Sequence, residues 1–298
     1  MNYYSTKFEI TEDNTLKSFF KNDNAEISPI QNAIWRARTS KYTATFYKTG
    51  KLLIQGSDVS EIAKKLELYT GKENKPIPSQ NTENNSSAVN LPKKHIGTDE
   101  SGKGDFFGPL VIAAVLVTED TADLLIKAGI KDCKKIEDKN INKLAAVIKN
   151  NCVFSVVTIN PPKYNELYSK LKNLNLLLAW GHARAIENVL EKEECECALS
   201  DKFGDEKLIK NALLKKGKNI RLEQRCKAES DIAVAAASIL AREQFLSGIK
   251  EISSKYNTDI PKGCSTNVME TAKAIAAKYT KDELKNIAKT HFKTYSQI

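Results

Sequence analysis

The sequence predicts an α/β protein: a mixed sheet flanked by helices, preceded by a small α+β domain. Three observations carry that prediction. Between Lys94 and Thr290, short apolar or β-branched runs alternate with longer stretches of helical periodicity. One run, Leu110–Val117, is apolar at all eight positions, the pattern of a strand covered on both faces. Residues 71–92, "GKENKPIPSQNTENNSSAVNLP", are rich in Asn, Ser, Pro and charge and read as a flexible linker. The linker divides a first domain, 1–70, from a main domain, 93–298.

In the first domain "LKSFFKN" reads as helical, and "KYTATFYKTGKLLIQG" as a hairpin that turns at Thr49-Gly50. "SDVSEIAKKLELYTG" reads as a helix capped by Ser57 or Asp58. Val59, Ile62, Ala63 and Leu66 lie on one face, and Gly71 stops it. Between Trp35 and Gly56 stand five basic residues, Arg36, Arg38, Lys41, Lys48 and Lys51, and no acidic one. Trp35, Tyr42, Phe46 and Tyr47 are interleaved with them, as on a nucleic-acid platform where cations meet phosphates and rings meet sugars and bases. A half-buried hairpin with core aromatics and solvated lysines has the same composition, and these residues alone leave both readings open.

In the main domain the strand candidates are Lys94–Thr98, Leu110–Val117, Cys152–Ile159, Ala198–Ser200 and Asn219–Gln224. The helix candidates are Asn142–Lys149, Asn165–Lys192, Asp231–Ile249, Val268–Lys278 and Lys281–Thr290. No internal repeat is present.

Charge and size narrow the function. The 298 residues suffice for a sizeable core, and the net charge of +9 favours a polyanionic partner. The longest uninterrupted apolar run, eight residues, is far short of the roughly 20 of a membrane span. The N-terminus lacks the basic-then-apolar pattern of a secretory signal, so a cytoplasmic protein is expected. Of six cysteines only Cys195 and Cys197 sit close together, so reduced thiols are expected and a zinc site is not.

Four carboxylates stand where chemistry would be placed. Asp99 and Glu100 end the first main-domain strand, Asp201 follows a later one, and Glu229 precedes an alanine-rich helix. Successive strand residues face opposite ways, so Asp99 and Glu100 are expected to converge through a backbone bend that Gly102 and Gly104 allow. Clustered carboxylates repel unless a divalent cation neutralises them, and oxygen-only ligands select hard ions such as Mg²⁺ or Mn²⁺. Asp105 reads as a turn residue. Ser230 reads as a helix N-cap, with Asp231 in the first turn. The Gly102/Gly104/Gly108 spacing leads into a strand and is not a dinucleotide fingerprint. His95, His182 and His291 are too scattered to mark a triad.

At this point the residues resemble a known family. "DESGKGDFFGPLVIAAV", "GIKDCKKI", "PPKYNELY", "NLLLAWGHARAIENVL", "ALSDKF", "KAESDIAVAAASILAR", "PKG" and "AKTHFKT" follow the order and spacing of type 2 ribonucleases H. Glu229 in "KAES" and the N-terminal extension point to the bacterial ribonuclease HIII branch. The resemblance implies a ribonuclease H-like fold with a TATA-box-binding-protein-like (TBP-like) domain for substrate binding, and it favours the platform reading of the hairpin.

It further implies endonucleolytic cleavage of RNA in RNA/DNA hybrids by two Mg²⁺ or Mn²⁺ ions, leaving 5′-phosphate and 3′-hydroxyl ends. By position, Asp99, Glu100, Asp201 and Glu229 would be the catalytic metal ligands, with Asp99 shared. The backbone of Gly102, Lys103 and Gly104 would meet the 2′-hydroxyls, and Lys103, Lys134 and Lys135 the phosphates. A monomer is expected. Three positions depart from the family pattern: Ser101 replaces a valine, Lys103 a threonine or arginine, and Cys133 a serine. The nearest rival is a ribonuclease HII-like enzyme incising at single ribonucleotides in DNA; a silent hybrid-binding protein and a small-molecule metallophosphatase are more distant.

Overall fold

A computed structural model describes residues 2–30, 33–57, 59–70, 91–131, 136–225 and 228–298. The linker read over 71–92 lies outside these residues except for Leu91 and Pro92, as do Asp58, Cys133, Lys134 and Lys135. The chain forms two compact units, residues 1–89 and 90–298.

The first unit is a five-stranded antiparallel sheet: β1 (Asn2–Lys7), β2 (Glu26–Ser28), β3 (Trp35–Arg38), β4 (Tyr42–Phe46) and β5 (Lys51–Gly56), in the order β1-β5-β4-β3-β2. The hairpin read from the sequence is β4–β5. Helices α1 (Asp13–Asn22) and α2 (Val59–Thr70) share one core with Trp35, Ala37, Tyr42, Ala44, Phe46, Leu52 and Ile54. Alternation along the strands then leaves Arg36, Arg38, Thr43, Thr45, Leu53 and Gln55 on the other face.

The second unit is built on a mixed sheet of β6 (His95–Ser101), β7 (Leu110–Val117), β8 (Val153–Ile159), β9 (Cys197–Asp201) and β10 (Arg221–Arg225), in the order β10-β9-β6-β7-β8. β7 is antiparallel to β6 and β8, whereas β6, β9 and β10 run parallel. All eight residues of β7 are buried because both faces are covered. Val111, Ala113, Val115 and Val117 pack toward α8 (Ile232–Tyr256), and Leu110, Ile112, Ala114 and Leu116 toward α6 (Leu174–Leu190). By length and composition α8 could cross a membrane, but most of it is buried as a core helix.

The alanines of α8 let it lie almost on the backbone of β6. A Cβ at Gly97 would stand 2.1 Å from the Ala233 carbonyl carbon, so glycine is required there. Asp231 caps the helix by accepting from the Ala233 and Val234 N–H groups, and His95 Nε2 bonds the same carboxylate at 3.0 Å. Asp231, not Ser230, is therefore the N-cap. Ser230 belongs to a short 3-10 turn, Ala228–Ser230.

Two further readings are corrected. The helix expected over Asn165–Lys192 is two, α5 (Pro161–Leu171) and α6, separated by Lys172 in the left-handed region and by Asn173, which caps α6. Lys281–Thr290 holds only a 3-10 stretch, Asp282–Asn286, because the residues after it exchange backbone hydrogen bonds with residues 106–108. Helices α3 (Glu119–Lys127) and α7 (Glu206–Ala212) are not among the helix candidates, whereas α4 (Asp138–Asn151) and α9 (Thr266–Lys278) contain theirs; α10 (Lys293–Ser296) ends the fold. Among the described residues Cys152, Cys195, Cys197 and Cys264 are free thiols.

Candidate active site

The site forms where parallel strands β6 and β9 end. Their register pairs Thr98 with Ser200, which sets Asp99 and Asp201 side by side one residue further on. Asp201 Oδ1 accepts from the Ala228 N–H at 3.2 Å. That bond ties the turn carrying Glu229 to the end of β9.

Asp99 and Glu100 do not meet through a bend between them. β6 stays paired with β7 as far as Ser101, and the chain turns only at Gly102, whose φ is +86°. Asp99 opposes Ala113 on the α8 side, and Glu100 opposes Ile112 on the α6 side. The two acids therefore reach one cavity from opposite faces of the strand.

That cavity, about 490 Å³, is lined by all four carboxylates of the sequence reading, by Ser101–Asp105 and by Arg242. A larger one of about 670 Å³ lies near Lys94 and Cys195 at the starts of β6 and β9. Open α/β sheets bind ligands at the carboxyl ends of their strands, so the smaller cavity is the candidate site.

Glu100 is held by α6 and by its own loop. His182 Nε2 donates to Oε2 at 3.2 Å, and Lys103 Nζ to Oε1 at 3.3 Å. Burial pushes this carboxyl up, but the hydrogen bond and charge of His182, joined by Lys103, outweigh it and hold the group at about 2. The His182 ring is fully buried, bonds Thr98 Oγ1 through Nδ1 and stacks on Phe203. Lys103 Nζ lies 5.7 Å from that same Phe203 ring, with its side chain 38% exposed at the rim.

Two glycines of the loop differ in why they lack a side chain. A Cβ on Gly102 would stand 2.2 Å from the Pro109 carbonyl oxygen, so the fold itself forbids one. At Gly104 a Cβ would meet nothing within 4 Å, and the residue is exposed. The space beside Gly104 is open.

The donor set in the cavity is carboxylate oxygen with no histidine or cysteine, which suits a hard divalent cation. Among the described residues no three such side chains gather closely enough to enclose an ion by themselves, so water or phosphate oxygens must complete any coordination shell.

Arg242, which the sequence reading missed, reaches the rim from α8 and bonds Asp138, as does Lys262. The Asp105 N–H donates to the Gly102 carbonyl at 3.4 Å, as a turn residue would, and its Oδ1 accepts from the Gly263 N–H at 2.6 Å, tying the loop to a distant segment.

In the first unit Arg36 and Arg38 lie on the open sheet face, Lys51 begins β5, and Lys41 and Lys48 are exposed in turns. Tyr42 is corrected as a substrate contact. It is 4% exposed on the helix-covered face, and its hydroxyl donates to Asp23 at 2.6 Å. Trp35 and Phe46 are buried with it, so these rings are core and offer no stacking surface.

Known proteins place this arrangement. The family model described as Ribonuclease HII matches residues 96–295, and one described as a domain of unknown function matches 6–79. The ribonuclease HIII of Protochlamydia amoebophila is 43% identical over 86% of this chain and 83% of its own length. That of Chlamydia pneumoniae is 40% identical over 96% and 94%. Bst-RNase HIII in complex with Mn²⁺ superposes with a TM-score of 0.67 at 25% identity, covering 99% of this chain and 97% of its own. With its fold, its strand-end acids and near-complete coverage by these relatives all in agreement, the chain belongs to the type 2 ribonucleases H, in the bacterial ribonuclease HIII branch, and is a ribonuclease H.

Proposed function

We propose that this ribonuclease H cuts the RNA strand of RNA/DNA hybrids endonucleolytically, in the presence of divalent ions, and leaves 5′-phosphate and 3′-hydroxyl ends. The observation that carries this reading is the convergence of Asp99, Glu100, Asp201 and Glu229 beside an exposed glycine loop in one cavity. Water adds to phosphorus, the bond from phosphorus to O3′ breaks, and the departing O3′ takes up a proton.

Two Mg²⁺ or Mn²⁺ ions held by the four carboxylates would neutralise the acids and polarise the scissile phosphate, and the solved Bst relative is itself a Mn²⁺ complex. The chain's own part is placement. His182 and Lys103 hold Glu100 ionised and fixed, and the Ala228 N–H orients Asp201. Gly104 leaves room for a ribose to approach the backbone, where the 2′-hydroxyl separates RNA from DNA. Lys103 at the rim suits a phosphate contact. In the first domain Arg36, Arg38 and Lys51 supply a cationic surface for the duplex backbone.

Asp201→Asn tests the reading, because its amide oxygen can still accept from Ala228 and preserve the turn. Cleavage of a labelled hybrid with Mg²⁺ or Mn²⁺ should fall on the order of 100-fold or more, with an unchanged melting temperature. Undiminished cleavage by this variant and by Asp99→Asn would overturn the reading. A DNA duplex bearing one ribonucleotide, assayed in parallel, separates hybrid cleavage from single-ribonucleotide incision.

A further inference from the structure

Lys289, in the "AKTHFKT" motif, is fully buried, yet its ammonium group faces no salt-bridging carboxylate among the described residues. Its Nζ donates to the carbonyls of Asp105 at 2.8 Å, Phe107 at 3.4 Å and Gly108 at 2.7 Å, and its backbone N–H donates to that of Phe106 at 2.9 Å. One residue thus bonds four successive carbonyls of the segment that begins immediately after Gly104. The Tyr164 ring closes the cage, its centroid 5.6 Å from Nζ.

An ammonium group has three N–H donors, and three carbonyl acceptors meet them. Burial nevertheless pushes this group down to about 7, with the Asp105 charge opposing the shift, so placing a lysine here is costly. A methionine would fill the space without that cost but would leave the carbonyls without their donor. The segment's other ties are the Asp105 carboxylate, which accepts from the Gly263 N–H, and two backbone bonds, Phe106 N–H to Gly263 and Gly108 N–H to Ile287.

We propose that Lys289 is a positioning residue that fixes the Gly102–Gly104 backbone against the RNA strand and thereby sets the preference for ribose over deoxyribose. The inference rests on the reading of that segment as the ribose contact. Asn165 supports the same device from outside: its side chain donates to the Lys285 and Ala288 carbonyls and accepts from the Thr290 N–H.

The test uses the full chain with Lys289→Met and, as a milder perturbation, Asn165→Ala. Binding of an RNA/DNA hybrid and of a DNA duplex of the same sequence is measured in EDTA, and kcat and KM on the hybrid with Mn²⁺. The ratio of hybrid to DNA affinity should fall about fivefold in Lys289→Met, the worth of roughly one hydrogen bond, with DNA binding unchanged. Asn165→Ala should shift the ratio in the same direction by less. A purely structural role would lower both affinities in proportion to the folded fraction, and an unchanged ratio overturns the proposal. If Lys289→Met does not fold, the Asn165→Ala ratio decides. A wild-type chain with no preference for the hybrid would overturn the reading of the site and this inference with it.

Discussion

His182 Nε2 donates to Glu100 Oε2 across 3.2 Å, joining α6 to the end of β6 by a bond between residues 82 positions apart. With Lys103, this bond holds the acid ionised against its burial. Burial alone would raise the Glu100 pKa, yet it is held at about 2. A carboxylate with a folded pKa below its unfolded value of 4.5 contributes stability that is complete above about 4.5 and lost as pH falls through about 2. The contribution is on the order of 3 kcal/mol. In His182→Leu it should be largely missing. Urea midpoints in EDTA should therefore show the variant well below wild type at pH 7, with the gap closing toward pH 2. A gap that stays constant with pH would show that Glu100 is not linked to His182.

Gly102 and Gly104 should respond oppositely to a methyl group. Gly102→Ala meets both a positive φ and the Pro109 carbonyl, and should lose about 1–3 kcal/mol of stability or more. Gly104→Ala enters open space and should melt within about 0.5 kcal/mol of wild type. Its hybrid affinity should nevertheless fall about tenfold, the worth of roughly one displaced hydrogen bond, because the methyl group takes the space assigned to the substrate. Melting curves with equilibrium binding check both. Normal hybrid binding by the Gly104→Ala variant would remove Gly104 from the site.

Much of this was legible in the sequence, and the exceptions have physical reasons. Leu110–Val117 announced a strand covered on both faces, and the four carboxylates were recognisable by their places at strand and helix ends. Alternation in β3–β5 separated two sets of residues but did not say which set the helices cover. The rings of Trp35, Tyr42 and Phe46 went to α1 and α2, and the arginines to the open face. His182 looked isolated because its partner is brought near only when α6 lies on the sheet. Arg242 was hidden in an alanine-rich helix whose placement depends on the missing side chain at Gly97. Lys289 drew no reading of its own inside "AKTHFKT", since nothing in the sequence marks a lysine that bonds backbone carbonyls.

The division of β3 into a buried face, Trp35 and Ala37, and an opposite face bearing half-buried Arg36 and exposed Arg38 leads to a prediction for the first domain. If Arg36 and Arg38 bind phosphates, replacing both with Gln should weaken hybrid binding and flatten its salt dependence. The slope of log K against log[salt] should shrink by about 0.9 for each phosphate that is no longer neutralised. Tyr42→Phe removes the hydroxyl that donates to Asp23, and the ring stays in the core. It should cost about 1–3 kcal/mol of stability and leave hybrid affinity within about twofold. Fluorescence anisotropy on a labelled hybrid at several salt concentrations, with melting curves, measures both. If Tyr42→Phe weakened binding as much as the arginine pair while remaining folded, the Tyr42 hydroxyl, and not the cations alone, would belong to the binding surface. The helix-covered face of the sheet would then have to open to reach the duplex.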